Sequence, residues 1–503
     1  MGHNRIFAAC RENTILSIKL QEVQNKKLNL TDGIMLVTGS MIGSGIFIVS
    51  ADIARNLGSG GWLLMAWLIA GLMTIMAALS YGELASLIPN AGGQYVYLRE
   101  AYNPLVAFLY GWSLFAVIQT GTIAAVGVAF AKFTGVFVPE LSEKNILLQI
   151  GTFKLSAAQL LAIASIVFLT WYNTRGLRAG STFQTVFTTA KLLALFGLIL
   201  LGFVFFDSHI WSQNWSYFWT AHLVKPNEEG LLSLQSLTGM SLLMAIGVSM
   251  VGTLFSSDAW NNVTFVAGEM KNPSQDVARS MVIGTLIVTG IYILTNIVYL
   301  GLLPLVGQAN GVDVMERGIQ YALYDRVGTA AAHQIFGTIA VFIMAGLIMV
   351  STFGCNNGLI LSGSRVYRVM ALDGLFFNRA ALLNAKGVPA WALWMQCIWA
   401  SVLCISGRYG DLLDYVVFAV LIFYILTVAG VIILRIKRPD SNRPYRTPFY
   451  PFIPLIYIAS ALVICIILLV KKPEYTWPGL GIVLLGIPLY YFILKKNPPE
   501  QLD

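Results

Sequence analysis

The chain has 503 residues, of which 57% are hydrophobic and 11% are charged. Soluble globular proteins carry about 25% charged residues, so this composition excludes a soluble globular domain and predicts side chains that face lipid or other helices. The net charge of +8 gives no reason to expect a nucleic-acid partner, because the basic residues cluster beside apolar segments and report membrane orientation.

Twelve apolar runs follow one another along the chain, each long enough to cross a bilayer as a helix of about 20 residues. They predict an all-α integral membrane protein with twelve transmembrane helices. The third, sixth and eighth runs are longer than a bilayer requires and should tilt, kink or project beyond it. The predicted spans are 30–55, 62–87, 95–133, 156–173, 177–206, 236–266, 279–303, 330–362, 390–406, 411–435, 452–471 and 477–494.

The placement of Lys and Arg predicts that both ends of the chain are cytoplasmic. With that orientation, most of the 32 basic residues lie in inner loops and tails, as the positive-inside rule requires. Residues 1–29 form a polar cytoplasmic tail without the apolar core of a signal peptide, and residues 495–503 form a second one. We therefore expect a multi-pass protein of the cell (inner or plasma) membrane, with the lipid bilayer as its surroundings.

Spans 1–5 and 6–10 form two units, residues 30–206 and 236–435, and each unit begins with an interrupted helix. Because five is an odd number, the second unit enters the membrane from the opposite side. The pattern predicts a 5+5 inverted repeat, with spans 11 and 12 (residues 452–494) appended.

The interruptions are the glycine-rich segments Gly39–Gly45 in span 1 and Gly252–Ala259 in span 6. In hydrocarbon, unwound backbone is tolerated only where protein or a water-filled cavity satisfies its polar groups. Paired broken helices in corresponding positions of two halves indicate the substrate site of a transporter. The alternative is that these glycines only allow helices to pack closely.

Unwound spans 1 and 6 predict recognition of a small zwitterion. The positive end of the half-helix after the first break should bind a carboxylate through the N–H groups of Ser44, Gly45 and Ile46. Carbonyl oxygens released at the ends of the preceding half-helices should accept from an ammonium; they belong to Met41, Ile42, Phe255 and Ser256.

Lys191 lies near the midpoint of span 5, too deep for its side chain to reach water. We expect it to face the bundle interior and donate to carbonyls of the first break or to the hydroxyls of Ser351 and Thr352 in span 8. It serves as a fixed positive charge, as a lysine that exchanges a proton during transport, or in a purely structural role.

Four further residues at or near the breaks are candidates for function. Phe255 is a candidate gate over the site, with packing as the alternative. Asp258 is a carboxylate inside a span, which is a functional hypothesis by default; it binds a cationic group, carries a coupled proton or holds the unwound segment. Asn261 and Asn357 are candidate substrate contacts, although bonds between helices are the simpler interpretation of both and of Asn356.

The five cysteines show no metal-ligand spacing and none of the four histidines falls in the centre of a span. No metal, cofactor or disulfide framework is therefore predicted.

The chain resembles the amino acid–polyamine–organocation superfamily, and within it the L-type amino acid transporter family. The motifs that carry the resemblance are Met41–Phe47, Thr189–Leu193, Phe255–Asn261, Gly268–Pro273, Asn357-Gly358, Ser364-Arg365 and Arg443–Pro448. The resemblance implies a LeuT-like fold and sodium-independent exchange of neutral L-amino acids by alternating access. It also implies residue roles: carboxylate binding by Ser44 and Gly45, ammonium binding by the carbonyls of Ile42, Phe255 and Ser256, gating by Phe255, and Lys191 in place of a sodium ion as a link between span 1 and span 8.

The chain departs from this family at two places. Animal members carry a cysteine between spans 3 and 4 that joins a glycoprotein heavy chain, whereas residues 134–155 contain none. No disulfide-linked heavy chain is therefore expected, and the chain looks prokaryotic. In addition, Ser257-Asp258-Ala259 stands where the family commonly has an aromatic residue and two glycines.

The second departure leaves an alternative open, a proton-coupled permease for neutral or cationic amino acids or amines. A membrane-embedded enzyme would need a nucleophile–base or metal constellation, which the sequence lacks. A channel would not need two paired breaks.

Overall fold

The computed structural model describes residues 28–150, 153–216, 218–226, 232–406 and 409–496. The predicted cytoplasmic tails lie almost entirely outside these residues. The first half of the chain forms α1 (Leu30–Met41), α2 (Gly45–Leu57), α3 (Gly60–Leu87), α4 (Gly93–Ala101), α5 (Pro104–Ser113), α6 (Gln119–Thr134), α7 (Ala157–Thr174), α8 (Leu177–Val204) and α9 (Ser208–Trp215).

The second half continues the same helical pattern with few long connections. Its helices are α10 (Gly239–Ser256), α11 (Asn262–Phe265), α12 (Pro273–Leu302), α13 (Val314–Arg317), α14 (Val327–Phe336), α15 (Ala340–Leu372), α16 (Ala390–Ser406), α17 (Tyr409–Lys437), α18 (Phe452–Lys471) and α19 (Pro473–Lys496).

Helices lie at all twelve predicted span positions, which confirms the all-α membrane architecture. Ten spans of the described residues are long and apolar enough to cross a membrane, and the bent pair α1–α2 makes an eleventh. The remaining helix, α16, has 17 residues, close to the lower limit of about 17 for a spanning helix. The predicted count of twelve crossings therefore depends on α16.

The third predicted span, 95–133, is wrong as a single helix. The chain breaks after α4, and α5 begins at Pro104, where the Asn103 side chain accepts from the N–H of Val106 at 3.0 Å. Proline lacks an N–H and is suited to the first turn of a helix. The crossing runs from Pro104 to Thr134 and contains one π-helical segment, Leu114–Ile118.

The eighth predicted span, 330–362, also differs. Gly337, with φ of 63°, separates α14 from α15, because glycine adopts the left-handed backbone without a Cβ penalty. Helix α15 then continues to Leu372, so the long span bends near one end and projects at the other.

Two antiparallel hairpins, which the sequence did not predict, lie in the loops on one side of the bundle. Strand β1 (Ile146–Ile150) pairs with β2 (Phe153–Ser156), and β3 (His222–Pro226) pairs with β4 (Leu232–Ser236).

The opposite end of the bundle is held by a buried ion-pair cluster. Glu83 on α3 accepts from Arg435 at 2.8 and 2.7 Å and from the N–H of Thr447 at 2.8 Å. Arg443 adds a contact of 3.3 Å to the same carboxylate. The basic connection between α17 and α18 is therefore fixed against the end of α3.

Candidate functional site

The first break separates α1 from α2 by a bend of 42°. Helix α1 ends at Met41, Ile42 has an extended backbone (φ −77°, ψ 96°), and α2 begins at Gly45. The first N–H groups of a helix have no acceptor within it, so those of Gly45 and Ile46 point away from α2 at its positive end. The geometry suits an anion; carboxylate binding by these groups stays a prediction.

The second break begins later than predicted. Residues Gly252–Ser256 remain helical, and the chain leaves α10 only at Ser257. Ala259 then adopts a left-handed conformation with φ of 65°, which is uncommon for a residue with a Cβ and is found at functional sites. The glycine at 252 serves close packing instead, because a Cβ there would meet Cγ1 of Val49 on α2 at 2.6 Å.

The two breaks lie against each other. The hydroxyl of Tyr292 on α12 is 3.2 Å from the carbonyl oxygen of Met41 and 2.9 Å from that of Ser256, so one side chain bridges both half-helix ends. A Cβ added to Gly45 would lie 2.8 Å from Cβ of Ser256. Glycine at 45 is therefore what allows α2 to approach α10 at this point. The sequence did not single out Tyr292, because an aromatic residue in an apolar span is usually packing.

One cavity is shared by both breaks. Its wall combines residues of the first break with Phe255, Ser256, Asp258 and Ala259 of the second, and with Cys355 of α15. The cavity measures about 20 Å³, which holds about one water molecule. An amino acid therefore does not fit in this conformation and would need the elements around the breaks to move apart.

Lys191 lies within the bundle, completely buried, as the sequence predicts. Its ammonium donates to the carbonyl oxygens of Gly39 at 2.7 Å, Ile42 at 2.6 Å and Ser351 at 3.1 Å. All three N–H bonds are thereby used, and the charge joins the first break to α15. The cost of burying the cation is offset by three charge-assisted hydrogen bonds.

The contacts on α15 differ from the prediction in detail. Lys191 reaches the carbonyl of Ser351 and not its hydroxyl, which lies 3.0 Å from the carbonyl of Ile42 and 3.1 Å from that of Gly43. The hydroxyl of Thr352 bonds to carbonyls of its own helix, at Ile348 and Met349. Thr352 therefore makes no hydrogen bond to Lys191 or the break.

The carbonyl of Ile42 was predicted to accept from a substrate ammonium. It already accepts from Lys191 and lies within hydrogen-bond distance of the Ser351 hydroxyl, and a carbonyl oxygen has two lone pairs. The single Ser351 proton is shared between this oxygen and that of Gly43, so a substrate ammonium would compete with Lys191 and Ser351 for the carbonyl of Ile42. The carbonyl of Phe255 accepts from the N–H of Asp258 at 3.2 Å, so one of its lone pairs is used as well.

Asp258 lies where three cavities meet, as it contributes to the wall of each. Its carboxylate accepts from the hydroxyl of Tyr424 on α17 at 2.5 Å. A carboxylate that faces several cavities is placed to contact a ligand or water from more than one side. The partner on α17, far away in the sequence, could not be found from local motifs.

The asparagine residues serve mainly to join helices. Asn261 donates to Gln94 at 3.0 Å and lines one of the cavities beside Asp258. Asn357 accepts from Asn173 at 2.8 Å and donates to Gly180 at 3.2 Å and Gln184 at 2.9 Å. Its polar atoms are thus engaged by α7 and α8, which favours the structural interpretation over substrate contact.

Among the described residues, no group of three or more His, Cys, Asp or Glu side chains is arranged to hold a metal ion.

The chain is similar in sequence to known membrane transporters. Residues 28–490 match the amino acid permease family. The chain is similar to the b(0,+)-type amino acid transporter 1 of Mus musculus, with 28% identity over 93% of this chain and 88% of the relative. It is also 28% identical to the large neutral amino acids transporter small subunit 2 of Homo sapiens, over 93% of this chain and 80% of the relative.

A bacterial relative matches over a similar length. The serine/threonine exchanger SteT of Bacillus subtilis (strain 168) is 28% identical over 94% of this chain and 98% of the relative. These relatives are transporters and not enzymes, and the family match covers nearly every described helix. The chain belongs to the amino acid permease family.

Proposed function

We propose that this chain is a sodium-independent exchanger of neutral L-amino acids that works by alternating access. The observation that carries the proposal is a cavity bounded by both helix breaks. Membership of the amino acid permease family gives the substrate class. The names of the relatives include an exchanger of serine and threonine and a transporter of large neutral amino acids.

The substrate carboxylate binds at the start of α2, to N–H groups of Ser44, Gly45 and Ile46. This assignment is supported by the helix-dipole direction and by the cavity wall, which includes Ser44 and Gly45. The ammonium binds at the end of α10, where the carbonyls of Phe255 and Ser256 end the helix. The carbonyl oxygen of Ile42 accepts from Lys191 and lies within hydrogen-bond distance of the Ser351 hydroxyl. It can bind the substrate ammonium only after these bonds rearrange.

Lys191 takes the place of a coupling cation. Three carbonyl oxygens converge on its ammonium, and such a cluster of oxygens would otherwise suit a metal cation. A sodium requirement is therefore not expected. Lys191 and Ser351 also tie the first break to α15, so movement of α1 or α15 must stretch or exchange these bonds.

The transport cycle requires the cavity to open to each side in turn. Phe255 lines the cavity and is partly buried, which suits a residue that closes the site on one side. Units 30–206 and 236–435 act as the inverted repeats of the cycle. Both ends of the chain face the cytoplasm of a cell membrane, as the distribution of Lys and Arg favours.

A proton-coupled permease for neutral or cationic amino acids or amines is the second candidate. It is favoured by the position of Asp258, a carboxylate that borders three cavities and is bonded to Tyr424. In that case Asp258 exchanges a proton, or pairs with a cationic substrate.

The exchanger works without a disulfide-linked heavy chain. The support is the loop between α6 and α7, whose sequence contains no cysteine to form such a link.

A counterflow experiment tests the function. The purified protein is placed in liposomes with or without an internal neutral amino acid, and uptake of labelled amino acids is followed with a competition panel. Exchange predicts uptake that requires internal substrate and is unchanged when sodium is replaced. Uptake into empty liposomes that is driven by a pH gradient would instead support the proton-coupled candidate.

A further inference from the structure

A larger cavity, separate from the three that border Asp258, lies far from the Glu83 cluster, between the loop that follows α12 and the first turn of α15. Its volume is about 370 Å³, compared with about 20 Å³ for the cavity between the breaks, and small-molecule sites are typically about 300–1,000 Å³. We call it the outer cavity. Its wall is formed by Val312, Asp313, Val314, Arg317, Ala322, Leu323, Tyr324, Arg326, Thr329, Ala330, His333 and Val341.

Two arginine side chains line the outer cavity, and neither forms an ion pair with a described residue. The Arg326 guanidinium lies over the rings of Phe133 and Tyr324, at 4.8 and 5.3 Å, and its Nε is buried without a hydrogen-bond partner. Burial lowers the pKa of Arg326 from its usual value, as expected for a cation removed from water. Arg317, the second, makes no side-chain hydrogen bond or ion pair with any described residue. An anion in this cavity would offset the cost of both charges.

The acidic residues nearby are already engaged. Glu143, which lies within electrostatic reach of Arg326, pairs with Lys132 at 3.6 Å. The Asp313 side chain accepts from the N–H of Glu316 at 2.8 Å and so caps α13. The wall itself holds two arginines and one carboxylate, that of Asp313, so the outer cavity keeps an excess of positive charge.

Apart from Tyr324, Thr329 and His333, the rest of the wall is apolar, and it continues onto a surface of exposed apolar side chains. Val312 is 92% exposed and Leu323 is 55% exposed. Val341 lies in the first turn of α15, where its neighbours Phe342 and Ile343 are also exposed. Exposed apolar side chains on a spanning helix face acyl chains, so the cavity opens towards the edge of the bilayer. Two cations beside such a surface match a molecule with an anionic head and an apolar tail.

The cavity also adjoins a strained segment that contacts the first span. Tyr324 and Asp325 both have left-handed backbones, with φ of 56° and 60°, and strain of this kind is concentrated at ligand clamps and functional sites. Asp325 pairs with Arg55 of α2 at 2.5 Å. A ligand in the outer cavity is thus connected to α2, whose first residues border the break.

We propose that the outer cavity binds an anionic phospholipid. Its phosphate pairs with Arg317 and Arg326, and an acyl chain lies along Val341 and the exposed face of α15. By filling the cavity the lipid fixes the segment that holds α2. This proposal does not depend on which amino acid the protein carries.

Lipid-dependent stabilisation tests the proposal. The full chain is purified in a neutral detergent, and its thermal unfolding is followed while phosphatidylglycerol, phosphatidylcholine or inorganic phosphate is added. We expect phosphatidylglycerol to raise Tm in a saturable manner and phosphatidylcholine to have a smaller effect. Loss of one charge-assisted pair in Arg317→Gln or Arg326→Gln should raise the half-saturating concentration about tenfold.

Arg279→Gln is the matched control, because Arg279 is an exposed arginine at the other end of α12; its half-saturating concentration should equal that of the wild type. Equal values in all three variants would overturn the proposal. Stabilisation by inorganic phosphate at the same concentrations would contradict a lipid and indicate a free anion. If Arg326→Gln does not fold, two other variants decide the outcome. These are Arg317→Gln, which removes a charge, and Arg326→Lys, which keeps it.

Discussion

At the residue scale, Lys191 is the clearest link between the sequence and the site. Its depth in an apolar span was enough to predict an interior position and carbonyl partners, because a lysine at that depth must find acceptors. Which carbonyls it contacts could not be predicted, since they belong to α1 and α15 and depend on how three helices pack. For the same reason, the sequence predicted a contact between Lys191 and Thr352, whereas Lys191 bonds to the carbonyl of the neighbouring Ser351.

Replacement of Lys191 by alanine should slow exchange roughly tenfold or more without unfolding the protein. The change leaves the carbonyls of Gly39 and Ser351 without their donor, and a buried unsatisfied group costs about 1–3 kcal/mol. Counterflow rates and Tm are measured on the same preparation. Exchange at the wild-type rate would refute the role assigned to Lys191.

Replacement of Asp258 by asparagine separates the two candidate functions. In a neutral exchanger the amide still reaches Tyr424, so we expect the counterflow of neutral amino acids to change less than about tenfold. In a proton-coupled permease, the dependence of uptake on external pH should disappear. Loss of cationic substrates alone from the competition panel would show that the carboxylate recognises charge.

At the element scale, the two breaks were predictable because glycine clusters interrupt apolar runs, but their limits were not. Gly252 was interpreted as part of the second break, whereas it allows α10 to pack against Val49 within a continuous helix. A single sequence cannot distinguish a glycine that ends a helix from a glycine that allows a neighbouring helix to pack closely. The break at Pro104 was missed for a different reason: the polar residues Arg99, Glu100 and Asn103 and the proline that starts a new helix were included in one long span.

The close approach of α2 to α10 can be tested with Gly45→Ala. The new Cβ would overlap the side chain of Ser256 and push the half-helices apart, so exchange should fall strongly while Tm falls by only a few degrees, as expected for about 1 kcal/mol in a chain of this size. Gly197→Ala in α8 is the control, because nothing lies within 4 Å of its Cβ position.

A second-site change makes this prediction specific. The double variant Gly45→Ala/Ser256→Gly removes the overlapping side chain and should recover part of the lost exchange. If Gly45→Ala exchanges as fast as the wild type, or if Ser256→Gly gives no recovery, the contact between the breaks does not control transport.

At the scale of the whole molecule, composition and span spacing were sufficient for the all-α membrane class, because bilayer thickness fixes helix length. The two β-hairpins were not predicted, since they lie in loops whose sequence lacks a long alternating pattern. The count of twelve crossings depends on α16, which has 17 residues, because that length is at the lower limit for a helix that crosses a bilayer.

We expect the transported amino acid to bind in the cavity between the two breaks, and Cys355 offers a direct test. Its thiol lies 2.9 Å from the carbonyl of Ser40 and lines the cavity with both breaks. In a variant that keeps Cys355 as its single cysteine, a small thiol reagent should react several-fold more slowly when a transported amino acid is present. A variant that keeps only Cys397, which is buried but does not belong to the wall of this cavity, should show no protection. Alkylation of Cys355 that is unaffected by saturating substrate, in protein that still performs counterflow, would show that the amino acid does not bind in this cavity.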